Sequence, residues 1–338
     1  MITISLCMIV KNEEAVLERC LKSAKDFADE IIIVDTGSTD KTLEIAKKYT
    51  DKIFHFKWIN DFSAARNFAF KKATMDYQMW LDADDVISED SAKKIKKLKS
   101  ILMEDVDMVT MRYITHFDEN GLPVASSTRE RLLKTSKKYK WIDPVHECIP
   151  LSGNVYHSNI EIWHKKEDWE VNSNRNIEIY ESIEKSGKEF TPRQLYYFAR
   201  ELKDHKRISK AISYFKKFLK TKQGWVEDNI SACYTLAMCY KELGKKDKIL
   251  PILLKSFEYD SPRAEICCEI GYYYKELGDY RTGFKWFDIA THLQKPDSIG
   301  FILIDYWGYI PNVEACVCLT ALGDYVRAHD YNERARKV

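Results

Sequence analysis

The sequence predicts an α/β domain at the amino end, followed by an all-α domain of helical repeats. Three observations lead there. Short, wholly apolar runs alternate with helical patterns through the first third of the chain, only helical patterns remain from about residue 190, and within that helical part residues recur at a spacing of 34. The 338 residues give room for two domains, each with a sizeable core.

Residues 3–10 are an apolar run of strand length. Asn12 is placed to cap a helix over residues 13–25, whose first-turn acids Glu13 and Glu14 suit the helix dipole. Residues 31–34 are a second apolar run, ending in Asp35-Thr36-Gly37-Ser38-Thr39-Asp40, and Thr39 or Asp40 then caps a helix to about Tyr49. Residues 53–56 read as a short strand, 62–74 as a helix, and 77–81 as a strand running into Asp82-Ala83-Asp84-Asp85. Ser88 caps a lysine-rich helix to about Leu102, and its charged run at 93–99 reads as a solvated face. Strands buried between two helix layers lose their polar alternation, as these do, which predicts a parallel sheet. A hairpin follows: residues 106–117, the turn Asp118-Glu119-Asn120-Gly121, and residues 122–133.

Residues 169–188 read as a helical linker, amphipathic over 175–183 and broken at Ser186-Gly187. Beyond it, Leu236 and Ile270, Tyr240 and Tyr274, Gly244 and Gly278, and Pro262 and Pro296 are each 34 residues apart. Small residues fall where paired helices would approach, a Gly ends the first helix, and a Pro ends the second. This resembles the tetratricopeptide repeat over about residues 190–338. A less regular copy precedes the middle two repeats (Ala199, Ala211, Phe215) and another follows them (Ala315, Leu319, Gly323, Tyr325, Ala328). The expected division is 1–168, a linker at 169–189, and repeats at 190–338.

Composition narrows the function classes. Lys plus Arg number 53 and Asp plus Glu 52, a net charge of +1, which argues against a dedicated binder of nucleic acid or anionic membrane. No apolar run reaches about 18 residues, so no transmembrane helix is expected. The amino end lacks the basic leader and small-residue cleavage site of a signal peptide. The nine Cys form no Cys-x-x-Cys pair and read as buried thiols of a reducing cytoplasm, Cys316 and Cys318 among them as helix-packing residues. The aromatic share of 13% fits either helical repeats or a carbohydrate-handling surface.

In an open parallel sheet, ligands bind beyond the carboxyl ends of the strands. Acidic residues fall there in three places: Glu13, Asp35 and the group Asp82, Asp84 and Asp85. No glycine-rich phosphate loop is present, so a nucleotide in this crevice needs something other than backbone amides against its phosphates. Asp82 and Asp84, at i and i+2 of an extended segment, would share a face. A hard divalent cation held there by oxygen ligands can bridge to a diphosphate. One Asp at a strand end is as readily a helix cap. Asp-x-Asp-Asp directly after an apolar strand is harder to explain without a cation, because like charges repel. Arg66 is the one fixed-charge cation in an otherwise apolar helix start, suited to bidentate phosphate contact, with a surface ion pair to Asp61 as the plain alternative.

Four segments in order resemble those of family 2 glycosyltransferases of the GT-A fold, over about residues 1–168: Ile9-Val10-Lys11-Asn12-Glu13-Glu14, Val34-Asp35-Thr36-Gly37-Ser38-Thr39-Asp40, Phe62-Ser63-Ala64-Ala65-Arg66-Asn67 and Leu81-Asp82-Ala83-Asp84-Asp85. The resemblance implies a nucleotide-diphosphate sugar donor, most often a UDP-sugar, and inversion at the anomeric carbon. It implies that Asp35 contacts the uracil or ribose and that Val10 and Glu13 border the same nucleoside pocket. Arg66 would face the nucleotide or its diphosphate. Asp82 would lie near the ribose and the metal, Mn2+ or Mg2+, while Asp84 would bind that metal directly.

Trp141-Ile142-Asp143-Pro144-Val145-His146-Glu147 resembles the Val-His-Glu signature of the repeat-bearing subgroup. A carboxylate near the acceptor serves these enzymes as the base, so Glu147 is the expected base and Asp143 the reserve. Asp143-Pro144 stands where many relatives have a glycine. His164, in Glu161-Ile162-Trp163-His164, falls where GT-A enzymes often place a metal-binding His after the last strand, with His146 as the rival ligand. An imidazole would favour Mn2+ over Mg2+. Sugar discrimination is expected from segments such as residues 126–131, where no single residue encodes it.

A tetratricopeptide array presents a concave surface to a peptide or protein. Family 2 enzymes with such tails include glycocin-type peptide S- and O-glycosyltransferases, acting on Cys or Ser side chains, and the layout here is similar. The expectation is a metal-dependent inverting glycosyltransferase moving a hexose or N-acetylhexosamine from a UDP-sugar to a peptide, protein or glycan acceptor. The alternative is a repeat-protein adaptor with a vestigial sugar-transfer domain. The repeats could also simply dimerise the enzyme or brace it. Intact Asp35, Arg66, Asp82, Asp84 and Glu147 favour the enzyme.

Overall fold

The computed structural model describes residues 1–117, 121, 123–165, 174–296 and 303–337. The chain divides into two compact units, Met1–Ile179 and Tyr180 onward.

The first unit opens with β1 (Ile4–Val10), α1 (Leu17–Ala24), β2 (Glu30–Asp35), α2 (Thr42–Ala46), β3 (Ile53–His55), α3 (Phe62–Phe70) and β4 (Tyr77–Trp80). It continues through β5 (Asp85–Ile87), α4 (Glu89–Ile101), β6 (Met108–Phe117), β7 (Pro123–Lys134) and β8 (Val155–His164), and α5 (Arg175–Lys185) crosses into the second unit. The strands form one sheet in the order β3-β2-β1-β4-β7-β6-β8-β5. From β3 to β4 all pairings are parallel, as the apolar runs predict. Beyond β4 the sheet becomes mixed: β7 is antiparallel to β4 and β6, β8 parallel to β6, and β5 antiparallel to β8. Apart from Gly121, the expected hairpin turn at residues 118–121 lies outside the described residues.

The parallel half is apolar because both its faces are covered. Ile4, Leu6, Met8 and Val10 of β1 pack in one cluster with Leu17 and Leu21 of α1 and Ile95 and Leu98 of α4. Cys7, Ile32 and Val34 face the other way, onto Phe70, Trp80 and Trp141. Successive side chains of a strand leave on opposite sides, so each strand feeds both layers.

Several helix ends differ from expectation. Helix α1 begins at Leu17, and Asn12 does not cap it. Asn12 sits at φ 56°, a left-handed conformation that Asn tolerates, and its Oδ1 accepts from Thr39 N at 2.8 Å. It thus ties the loop after β1 to the loop after β2. Helix α3 stops at Phe70, short of Thr74, whose N–H and hydroxyl turn instead to the buried carboxylate of Glu30. Ser88 does cap α4, accepting from Ser91 N. The lysine run on α4 is not wholly solvated. Lys99 is 8% exposed and donates to Phe27 O and Asp29 Oδ2, closing the end of the helix over the core.

The second unit is built of helical hairpins: α6 (Pro192–Asp204) with α7 (Ile208–Thr221), α8 (Val226–Glu242) with α9 (Ile249–Lys255), α10 (Ala264–Glu276) with α11 (Tyr280–His292), and α12 (Tyr309–Ala321) with α13 (Tyr325–Ala335). Each first helix ends in the same six-to-one closure, in which Arg207, Lys245, Asp279 and Asp324 donate their N–H to the carbonyls of Leu202, Tyr240, Tyr274 and Leu319. The preceding residue is left-handed: Gly244, Gly278 and Gly323 in three cases, Lys206 in the fourth. Small residues set the spacing between paired helices. A Cβ on Gly271 of α10 would lie 2.7 Å from the buried Phe287 ring of α11.

Candidate active site

The acidic group after β4 is not extended. Asp85 N donates to Asp82 O at 3.1 Å, and Asp82 N to Asp85 Oδ2 at 3.0 Å, so residues 82–85 form a turn that leads into β5. The i, i+2 alternation of a strand therefore does not govern this segment, and its three carboxylates differ in their nearest cation, with His164 shared by Asp84 and Asp85. Asp82 Oδ1 accepts from Arg66 Nη2 at 2.6 Å. Asp85 Oδ2 accepts from Arg131 Nη1 at 2.9 Å, with both side chains at 0% exposure. Asp84 Oδ1 lies 3.3 Å from His164 Nδ1.

Strand pairing brings His164 there, because β5 and β8 run antiparallel with Asp85 opposite His164. Tyr113, from the neighbouring β6, completes the cluster, its hydroxyl 2.9 Å from Asp85 Oδ1 and 2.8 Å from His164 Nδ1. Ligand atoms of Asp84, Asp85 and His164 all lie within 4.8 Å of one another. Asp82 and His146 are not in this group.

Helix α3 organises the other side. Arg66 is buried, its guanidinium 5.1 Å from the Trp80 ring and 4.8 Å from the Trp141 ring, which themselves meet edge to face, and its Nε donates to Glu147 Oε1 at 2.6 Å. The alternative pair with Asp61 does not form, since Asp61 caps α3 and accepts from Ala64 N. The next residue, Asn67, brackets Trp141, donating to its carbonyl and accepting from its N–H. Phe62 N donates to Pro144 O, and Ile142 pairs with Cys148. These contacts fix the loop after Lys140 so that Glu147 arrives at Arg66. Asp143 and His146 adopt left-handed φ of 72° and 54° within it. A glycine would suit the left-handed conformation at Asp143.

Comparison with known proteins places this arrangement. Residues 5–161 match the family described as Glycosyl transferase family 2. The first unit holds a family 2 glycosyltransferase domain. Residues 230–262 match the tetratricopeptide repeat. The chain is 30% identical over 287 residues to the SPbeta prophage-derived glycosyltransferase SunS of Bacillus subtilis (strain 168), a match covering 80% of this chain and 65% of SunS. The chain thus spans about two thirds of the length of that curated relative. It is 35% identical over 149 residues, 44% of this chain and 36% of the other, to a TPR repeat-containing protein of Synechococcus elongatus. An uncharacterized glycosyltransferase of Rickettsia typhi is 28% identical over 155 residues, 46% of this chain and 48% of the relative.

Around the acidic turn, Asp82, Glu147 and Asp85 face buried arginines, and Asp84 faces His164. Burial opposes the charge on Arg66, but Asp82 and Glu147 outweigh it and raise its pKa. Burial likewise works against the Asp82 carboxylate, yet Arg66, Arg131 and His164 bring its pKa down to about 2. His164 is pushed up to about 10: burial lowers it, and Asp84 and Asp85 more than compensate. Burial and the neighbouring Asp85 and Asp82 raise the Tyr113 hydroxyl well above its ordinary value, so it stays a donor.

A histidine held at about 10 when folded, against 6.5 when unfolded, binds more protons in the folded state between those values. Its stabilising effect is therefore complete below about pH 6.5 and fades as pH rises towards 10. In metal-free protein, denaturation midpoints are expected to fall across that window, and His164→Ala should flatten the slope. An unchanged slope in the variant would break the link between this imidazole and the two aspartates.

The donor set suits a divalent cation. Asp82 and Asp85 are matched by Arg66 and Arg131, whereas among the described residues the charged partner of Asp84 is His164 alone. Two oxygens and one borderline nitrogen, with Asp84 and His164 partly exposed, can accept such an ion once the imidazole gives up its proton.

The nucleoside-side residues expected from the sequence stand at the ends of the first two strands. Val10 ends β1 and its carbonyl accepts from the backbone and hydroxyl of Thr36. Asp35 ends β2, buried, with Oδ2 accepting from Gly37 N and facing His55, and Oδ1 accepting from Ser38 N. Its carboxylate thus shapes the loop after β2. Glu13 lies beside that loop, its N–H donating to Thr42 Oγ1.

Sequence reading missed Tyr113 and the arginines of β7. Arg131 lies 3.6 Å from the Trp80 ring and 4.3 Å from that of Tyr113, and Arg129 lies 5.0 Å from Trp80. The signal was available: two arginines at i and i+2 leave a strand on one face. Residues 126–131, the segment expected to discriminate sugars, lie within this strand, as the hairpin reading of 122–133 predicts.

Proposed function

We propose that this chain is an inverting glycosyltransferase that moves a hexose or N-acetylhexosamine from a UDP-sugar to a peptide or protein acceptor. The observation that carries the reading is the separation of roles among the acids at the carboxyl end of the sheet. Two face buried arginines, and Asp84 is left with the partly exposed His164. A divalent ion, Mn2+ or Mg2+, held by Asp84 with His164 and Asp85, would supply positive charge against the leaving diphosphate.

The chain's own groups do the rest. Val10, Glu13 and Asp35 border the nucleoside, with Asp35 holding the loop that closes its edge. Asp82 lies on the ribose side of the same crevice. Inversion by single displacement needs a base that takes the acceptor proton as the anomeric carbon is attacked. Glu147 has one oxygen taken up by Arg66, so the proton goes to Oε2. Arg66 touches both Asp82 and Glu147, which ties the donor side to the acceptor side through one buried guanidinium. A polypeptide acceptor is favoured because tetratricopeptide-like hairpins on the same chain are a protein-recognition scaffold. The glycosyltransferase named SunS, similar along most of this chain, supports the sugar-transfer part.

The test is a panel of UDP-, GDP- and dTDP-sugars read by nucleoside diphosphate release. UDP release is expected with Mn2+ or Mg2+ and should stop with EDTA. Asp84→Ala should slow it by about 10²-fold or more while circular dichroism is retained. Incubation with Cys- and Ser-containing peptides should then show a hexose or N-acetylhexosamine mass gain. No turnover and no UDP binding across the panel would make the domain vestigial and leave an adaptor.

A further inference from the structure

The chain as a whole carries a charge of +1, yet residues 203–255 contain 13 Lys or Arg and 5 Asp or Glu, 13 − 5 giving +8. The remainder is therefore at −7, and the positive charge is concentrated on one stretch of the helical unit. That stretch lines an open groove of about 610 Å³ between α7, α8 and α9. Its floor is apolar, formed by Leu219, Leu236 and Tyr240, all buried, and by Ile252. Its rim is basic: Lys216, Lys220 and Lys222 on the α7 side and Lys248 on the α9 side are all exposed. Among the described residues, none of these four lysines is ion-paired with a carboxylate. Asp247 is the acidic residue at the rim, and Lys255 on the far side is held by Glu258 at 2.6 Å.

Four unpaired ammonium groups around an apolar floor repel one another and gain from an anionic occupant. The floor needs an apolar one, so a free phosphate or nucleotide would meet only half of the site. The dimensions point to a chain segment. Lys216 and Lys220 are one turn apart, roughly 6 Å, and Lys248 to Lys255 runs along α9 for roughly 10 Å at a rise of about 1.5 Å per residue. Ten ångströms is about three residues of extended peptide.

We propose that this groove docks an acidic segment of a partner polypeptide, with a bulky apolar side chain seated on Leu219, Leu236 and Ile252 and flanking carboxylates on the lysine rim. The site is lined by the second helices of two successive hairpins together with the helix between them. It is independent of the sugar-transfer reading, since none of its residues belongs to the glycosyltransferase domain.

The test uses the full-length protein and three labelled twelve-residue peptides followed by fluorescence anisotropy. One alternates Glu with Leu and Phe, one replaces Glu by Lys, and one keeps Glu but replaces the apolar residues by Ser. The first should bind, and the other two should bind at least about tenfold more weakly. Reversing the rim with Lys216→Glu, Lys220→Glu and Lys248→Glu together should weaken the first by about tenfold or more, and rising salt should do the same. These lysines are exposed, so the variant should keep its circular dichroism. Ile252→Ser gives a second, charge-independent arm with the same direction of loss. Equal binding of the Glu/Leu/Phe and Glu/Ser peptides would overturn the proposal, as would an unaffected triple variant. Rim-dependent sedimentation with phosphatidylglycerol vesicles, without peptide binding, would assign the groove to lipid instead. A rim-dependent dimer in sedimentation velocity, without peptide binding, would assign it to a second copy. UDP release is read in parallel, and its failure leaves the peptide result standing.

Discussion

Asp85→Ala is expected to cost about 3–5 kcal/mol of folding stability, and its near neighbour Asp84→Ala less than about 1 kcal/mol. The difference follows from what each carboxylate faces. Arg131 is 0% exposed, and Asp85 is the carboxylate that pairs with it at 2.9 Å. The Nε and Nη2 of that guanidinium have no hydrogen-bond acceptor and rest against the Trp80 and Tyr113 rings. Removing Asp85 leaves a charge buried among aromatics, and it also takes acceptors from Asp82 N and Tyr113 OH. Asp84 is partly exposed, and after its loss His164 still faces Asp85 at 3.4 Å, so no charge is left buried and unpaired. Urea denaturation of the two variants reads the contrast directly. Pairing Asp85→Leu with Arg131→Met should recover much of the loss, since an apolar pair of similar volume carries no unpaired charge. Equal destabilisation by the two Ala variants would mean that Arg131 does not depend on Asp85. Activity alone would not separate the two residues, because both stand in the group suited to a metal.

That contrast also shows what the sequence could and could not reveal. The parallel half of the sheet was readable because β1, β2 and β4 are apolar on both faces, and nothing but burial between helix layers explains such runs. The hairpins of the second unit were readable because a left-handed closure favours glycine, which repeats at Gly244 and Gly278. Strand β8 was missed because His157, Ser158, Asn159 and Glu161 interrupt its apolar residues, as suits a strand near the sheet edge. Strand β5 has three residues and begins inside the acidic run itself. With β5 unseen, Asp82 and Asp84 look like neighbours on one face, while the turn between them sends one to Arg66 and the other to His164. Acidic composition located the site. Assigning partners within it required knowing which strands flank the turn, and that is set by long-range pairing.

The same long-range geometry makes Arg66 the residue whose loss should be felt on both sides of the proposed reaction. Glu147→Gln keeps the shape of the side chain and removes its basicity, so transfer should fall by about 10²–10⁴-fold while UDP affinity stays within about threefold. Arg66→Met keeps a long apolar stem against Trp80 and Trp141 but releases both carboxylates. Glu147 then loses the bond that holds Oε1, and the half-buried Asp82 loses its nearest cation. Transfer should fall at least as far as in Glu147→Gln, and UDP binding should weaken by about tenfold because the crevice becomes more negative. If Arg66 acts on transfer by holding the base, the double variant should transfer no more slowly than Arg66→Met alone, because groups that act as a unit are not additive. A double variant that multiplies the two single losses would mean that Arg66 and Glu147 act independently, despite the 2.6 Å contact between them. Full turnover in Glu147→Gln would move the proton acceptor elsewhere on the loop, with Asp143 next to be replaced.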